Sequence, residues 1–237
     1  MIYGNLVPDI NIQNIGLTYK FKEIGRMPFS TAKKLLNNDW SWKKADEQTK
    51  IAAVLAVQRS VNKSLRIELS PVFYDPNPLH PYAAGQAGLF DFDSGKVTYN
   101  LMYLNAPEMR KCWAAIIAHE SRHCWQKNTA RRNRGSILFR KIRKLLQGGR
   151  YSSLYATRLH DFYYIERDAN KFAKKFCRYS FKDSKYRQDI VDDVYTRSLQ
   201  TRFKLPENIK TARAINLIHT RYTPTKQYAK SPPMRIL

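Results

Sequence analysis

"IIAHESRHCWQ", residues 116–126, decides how this chain is read. Two histidines stand four positions apart, and a glutamate directly follows the first. Residues four apart on a helix share one face, with Cβ atoms about 5–6 Å apart. His119 and His123 can therefore offer two imidazoles to one metal ion. Glu120 is turned about 100° from His119, away from that ion but within reach of a water beside it. The pattern H-E-x-x-H thus supplies two ligands and a general base. Cys112, Ile116, His119 and His123 lie along one stripe, so the histidines continue an apolar face. The other reading is a pair of core histidines bonded to backbone carbonyls. Two imidazoles and a carboxylate on one buried stripe, however, call for a common partner.

A catalytic zinc takes three protein ligands and keeps one position open. The best third candidate is in "DFYYIERDANKFAKKF", residues 161–176. Tyr155, Leu159, Phe162, Glu166, Ala169, Ala173 and Phe176 recur at steps of three and four, with Glu166 in the middle of this stripe. A buried carboxylate there needs a cation, either a metal or an arginine packed nearby. Asn170, one turn after Glu166, is placed to hydrogen-bond a ligand histidine. His160 is the rival third ligand, flanked by Arg158 and Asp161. His80, in a proline-rich loop, and His219, near the tail, read as ordinary histidines. A second donor to a developing oxyanion is sought in Tyr163 or Tyr164, both of which also suit core packing.

"HESRH" followed by "ERDANKFA" resembles the gluzincin-like zinc metallopeptidases, which pair H-E-x-x-H with a downstream glutamate helix. The second piece is similar to the E-x-x-A-N-x-F-A signature of ImmA/IrrE-type peptidases. "HESRHCWQ" resembles phage and mobile-element proteins with H-E-x-R-H-x-x-Q. The similarity runs over about residues 65–180. It implies a zincin-like domain with Zn2+ on His119, His123 and Glu166, and Glu120 as base. It also implies a small sheet whose edge strand, "GLFDF" or "KVTYNLMYL", receives an extended peptide. The 43 positions from His123 to Glu166 exceed the ImmA-type spacing, and a basic segment fills them. SprT-type proteases use a third histidine where this chain has Glu166.

Around these motifs the chain alternates between two periods. "STAKKLL" (30–36) reads as a short helix and 45–64 as a longer one, with Ile51, Val54, Leu55, Val57 and Val61 at helical spacing. "LRIELSPVFY" (65–74) alternates, and 88–104 reads as two strands joined at Asp93-Ser94-Gly95. Asn105 is a candidate cap for a helix over 107–127. Further helices are expected over 136–147, 151–180 and 183–200. The fold class is α+β: a small, mainly antiparallel sheet, an active-site helix and a C-terminal helical part. The expected division is an N-terminal arm and short helix over 1–44, the metallopeptidase domain over 45–200, and a basic, proline-containing tail over 201–237.

The 237 residues carry a formal charge of +23 and hence a surface that attracts nucleic acid, anionic membranes or acidic proteins. The charge is densest over 131–150, with eight basic residues and no acid. There Leu138, Ile142, Leu145 and Leu146 lie opposite Arg140, Lys141, Arg143 and Lys144. Non-specific phosphate contact, membrane association and a solvated helix face all suit this pattern. Three cysteines without a C-x-x-C pair point to reduced thiols rather than a disulfide framework. No signal-peptide pattern opens the chain and no apolar run approaches a membrane span, so a cytoplasmic protein is expected. Two function classes follow. One is a zinc-dependent peptidase acting on a protein or peptide. The other is a non-enzymatic, basic nucleic-acid-binding protein with a structural or vestigial zinc site, which has no need of Glu120.

Overall fold

A computed structural model describes residues 26–74, 87–92, 94–133, 135–137, 140, 159–181 and 187–204. In chain order these form α1 (Phe29–Asn37), α2 (Asp39–Lys44), α3 (Glu47–Leu65), β1 (Pro71–Tyr74), β2 (Gly88–Phe90) and β3 (Val97–Asn100). There follow α4 (Leu101–Leu104), a 3-10 turn (Pro107–Met109), α5 (Arg110–Arg132), α6 (Leu159–Ser180) and α7 (Gln188–Phe203). The architecture is mixed α and β, mostly helical. No described helix is long and apolar enough to cross a membrane.

Helix α5 is the centre of the core. Its first half, from Cys112 to Ala118, is buried all round, as expected of a helix with apolar residues on every side. Helix α3 covers one side of it, α6 another, and the sheet a third. Asp46 caps α3 by accepting from the Thr49 N–H at 2.6 Å. Ala52, Ala53, Val54, Ala56 and Val57 make α3 apolar over most of its surface. A buried polar cluster ties α3 to α5 and β3. The Tyr99 hydroxyl donates to Gln58 at 2.6 Å, and the Gln58 amide donates to Ser121 and to Asn62, each at 2.8 Å. Ala32, Leu36 and Trp42 belong to the same hydrophobic cluster as α3 and α5, so the packing has no boundary at residue 45.

The sheet has strand order β1-β3-β2. The expected hairpin partners β2 and β3 pair antiparallel, with Leu89 opposite Thr98. Strand β1 lies parallel to β3, with Phe73 opposite Tyr99, so the sheet is mixed rather than mainly antiparallel. Second, residues 101–104 are helical, not a continuation of the strand. The Asn100 side chain accepts from the Met102 N–H at 2.9 Å and turns the chain there. A third difference concerns Asn105, which is the C-cap of α4, its backbone N–H donating to Tyr103 O, and not the cap of the helix that follows. Its side chain accepts from Lys50 at 3.3 Å and donates to Glu47 at 3.0 Å, pinning the end of α4 to the start of α3. The arm over 1–25, most of the basic segment 131–150, the start of the helix expected over 151–180 and the tail beyond 204 lie outside the described residues.

Candidate metal centre

Helices α5 and α6 lie side by side. The buried stripe of α6 is Ile165, Ala169, Ala173 and Cys177, one residue per turn. Two alanines in that stripe let the helices approach closely enough for side chains at its edge to meet those of α5. Glu166 sits at that edge. His119 Nε2 lies 3.1 Å from Glu166 Oε2, and His123 Nε2 lies 3.2 Å from Glu166 Oε1. The two Nε2 atoms are 3.0 Å apart. Among the described residues, His119, His123 and Glu166 are the group whose ligand atoms converge in this way, all within 4.8 Å of one another.

The donor set fits zinc. Two imidazole nitrogens and a carboxylate are zinc ligands, and in tetrahedral coordination at about 2.0–2.2 Å they stand about 3.3 Å apart. The separations here are close to that. The His123 side chain is 5% exposed while those of His119 and Glu166 are 18% and 25% exposed, so the centre is closed on one side and open on the other. Phe90 and Phe92 form the closed side, with ring centroids 6.5 Å and 5.3 Å from that of His123.

Electrostatics agree with a shared charged site. Burial raises the Glu166 carboxyl, but the His119 and His123 imidazoles set against its two oxygens outweigh it and hold the pKa at about 2. Burial disfavours the His119 cation, yet its hydrogen bond to Glu166 and the charges of Glu120 and Glu166 raise it above 6.5. Tyr99 is pushed well up by burial and by the charge of Glu120.

Glu120 lies off the ligand face, as its position in the helix requires. Its Oε2 accepts from the Phe90 N–H at 2.7 Å. The bonds from Asn100 N–H to Ala87 O and from Asp91 N–H to Lys96 O show that odd residues of β2 face β3. The backbone groups of Gly88 and Phe90 therefore face outward, on the edge of the sheet beside the centre. Gly88 is needed for that approach. A Cβ there would lie 2.7 Å from Ile116 Cγ2.

The remaining candidates divide. Asn170 Oδ1 lies 3.1 Å from His119 Nδ1, the contact expected of it. Tyr164 is 46% exposed and two positions before Glu166, about 200° round α6. The side chains of Tyr163 and His160 lie outside the described residues, as do His80, His219, Lys141, Arg143 and Lys144. Arg140 is exposed. Three residues around the centre were not foreseen from the sequence. Gln126 Oε1 lies 2.9 Å from His123 Nδ1, and its amide nitrogen donates to Ile165 O at 3.0 Å and Asp168 Oδ2 at 2.8 Å. Arg122 donates to both Asp168 oxygens, at 2.8 Å and 3.2 Å, while its guanidinium lies 3.6 Å from the centroid of Trp125. The available signal was the H-E-x-R-H-x-x-Q pattern, which marks Arg122 and Gln126 without giving them a role, and the place of Asp168 two residues after Glu166.

No protein-family model, curated protein or solved structure matches this chain.

Proposed function

We propose that this protein is a zinc-dependent peptidase with a zincin-like fold that hydrolyses a peptide bond in a protein substrate. The observation that carries the reading is one arrangement. His119, His123 and Glu166 converge on a point, and Glu120 stands beside it, held by an edge strand. Zinc held by these three residues would lower the pKa of a bound water and polarise a substrate carbonyl. One Glu120 oxygen is occupied by the Phe90 N–H, which leaves the other to accept a proton from the attacking water and deliver it to the leaving amine. A substrate strand would pair with the outward edge of β2, presenting its carbonyl towards the centre. The three buried cysteines, in no disulfide among the described residues, suit a reducing compartment such as the cytoplasm. The charge of +23 supports recruitment of nucleic acid or of proteins bound to it.

The experiment is metal analysis of purified protein together with a protein-cleavage assay. One zinc per chain is expected, lost in His119→Ala or His123→Ala. Glu120→Gln keeps the zinc and loses hydrolysis, because an amide cannot take the proton. Stoichiometric zinc in His123→Ala would overturn the ligand assignment. Undiminished cleavage by Glu120→Gln would overturn the mechanism. Zinc with no cleavage of any protein would favour a structural site in a nucleic-acid-binding protein.

A further inference from the structure

The hydrogen bonds around Gln126 determine where His123 carries its proton. The Gln126 side-chain nitrogen contacts two atoms that can only accept from it, the Ile165 carbonyl and the Asp168 carboxylate. Asp168 is itself held by the Arg122 fork, so it stays in place as an acceptor. Rotating the Gln126 amide by half a turn would set its oxygen against both acceptors. The orientation is thereby fixed, with Oε1 towards His123 Nδ1 at 2.9 Å. A carbonyl oxygen cannot donate, so Nδ1 must carry the hydrogen. In the neutral ring Nε2 is then bare, and its lone pair faces His119 and Glu166.

Among the described residues, His119 has no equivalent lock. Its Nδ1 contacts Asn170 Oδ1, but Asn170 is an exposed residue. We propose that Gln126, clamped by Asp168 and Arg122, is a positioning residue that holds His123 as the Nδ1–H tautomer and so keeps its Nε2 ready for a metal before any metal arrives. The proposal builds on the zinc-site reading above. The clamp also joins the two ligand helices. Arg122, His123 and Gln126 are on α5, and Ile165, Glu166 and Asp168 are on α6. The contacts that set the tautomer therefore also set the distance of Glu166 from the histidines.

Two measurements test this, one of which needs no variant at Gln126. Metal-free wild-type protein with nitrogen-15 histidine is read at about pH 8 by long-range proton–nitrogen NMR, with resonances assigned by single His→Gln variants. This distinguishes a protonated ring nitrogen from a bare one. His123 is expected to be protonated at Nδ1 and bare at Nε2. In Gln126→Leu, of similar size but without an acceptor, the proton is expected to move towards Nε2. The zinc dissociation constant, from chelator competition, is expected to rise about 10–100-fold. A wild-type His123 protonated at Nε2 overturns the proposal, and so does a Gln126→Leu protein with unchanged tautomer and zinc affinity. The zinc reading fails separately. A wild-type protein that binds no zinc but shows His123 as the Nδ1–H tautomer loses the metal and keeps the clamp.

Discussion

Gly88→Ala probes how tightly the edge strand β2 is pressed onto α5. The added methyl would meet Ile116 Cγ2 at 2.7 Å and two Tyr99 ring carbons at 3.1 and 3.2 Å. Ordinary contact begins at 3.4 Å, so strand or helix must move by about 0.7 Å. Neither neighbour yields easily. Ile116 is β-branched on a helix, with one strongly preferred rotamer. Tyr99 is fully buried and hydrogen-bonded to Gln58. Overpacking of this kind costs about 1–3 kcal/mol. For a chain of this size each kcal/mol lowers Tm by about 2–4 °C, so a fall of about 2–12 °C is expected in a thermal melt. The same displacement draws the Phe90 N–H away from Glu120, so hydrolysis should fall. Zinc affinity should hold, since its ligands lie on α5 and α6. Ile116→Ala removes the obstructing methyl. In that background Gly88→Ala should cost at least about 1 kcal/mol less, the size of coupling found between residues in contact. A Gly88→Ala protein as stable as wild type, or one equally destabilised in both backgrounds, would refute the close approach.

Three further outcomes are expected. Gln58→Leu leaves Ser121 and Tyr99 without their buried partner and should cost about 1–3 kcal/mol in urea denaturation, with the Tyr99→Phe penalty largely absent in that background. In metal-free protein the His119 cation is favoured over its unfolded value of 6.5. The stability it contributes is fully present below 6.5 and is lost as pH rises through the higher folded value. The Tm of metal-free protein should therefore decline as pH rises above 6.5, while that of zinc-loaded protein should not. Replacing Arg140, Lys141, Arg143 and Lys144 with Gln should weaken nucleic-acid binding in a salt titration, leaving zinc occupancy intact. The salt slope should flatten by up to about four contacts' worth, and a wild-type protein indifferent to DNA and RNA at low salt would sink the idea.

What could be read before folding was whatever is local along the chain. The helix carrying His119 and His123 was legible because its two histidines are one turn apart within the same element. Glu166 was legible as an acid among helically spaced apolar residues, but the structure sets it at the edge of the buried stripe and not in its middle, because Ile165 and Cys177 take the inward positions. The turn into α4 was misread because "LMYL" suits a strand or a helix, and a single Asn100 side-chain bond decided it. Periodicity is also blind to strand direction, so the parallel pairing of β1 with β3 was out of reach. The contacts that complete the centre join elements far apart in sequence. Phe90 reaches Glu120 across 30 positions and Gln126 reaches Asp168 across 42. No local propensity encodes such pairs. They exist because Gly88 and two alanines of α6 let a strand and a helix close on α5, and the polar groups buried between them then had to find partners.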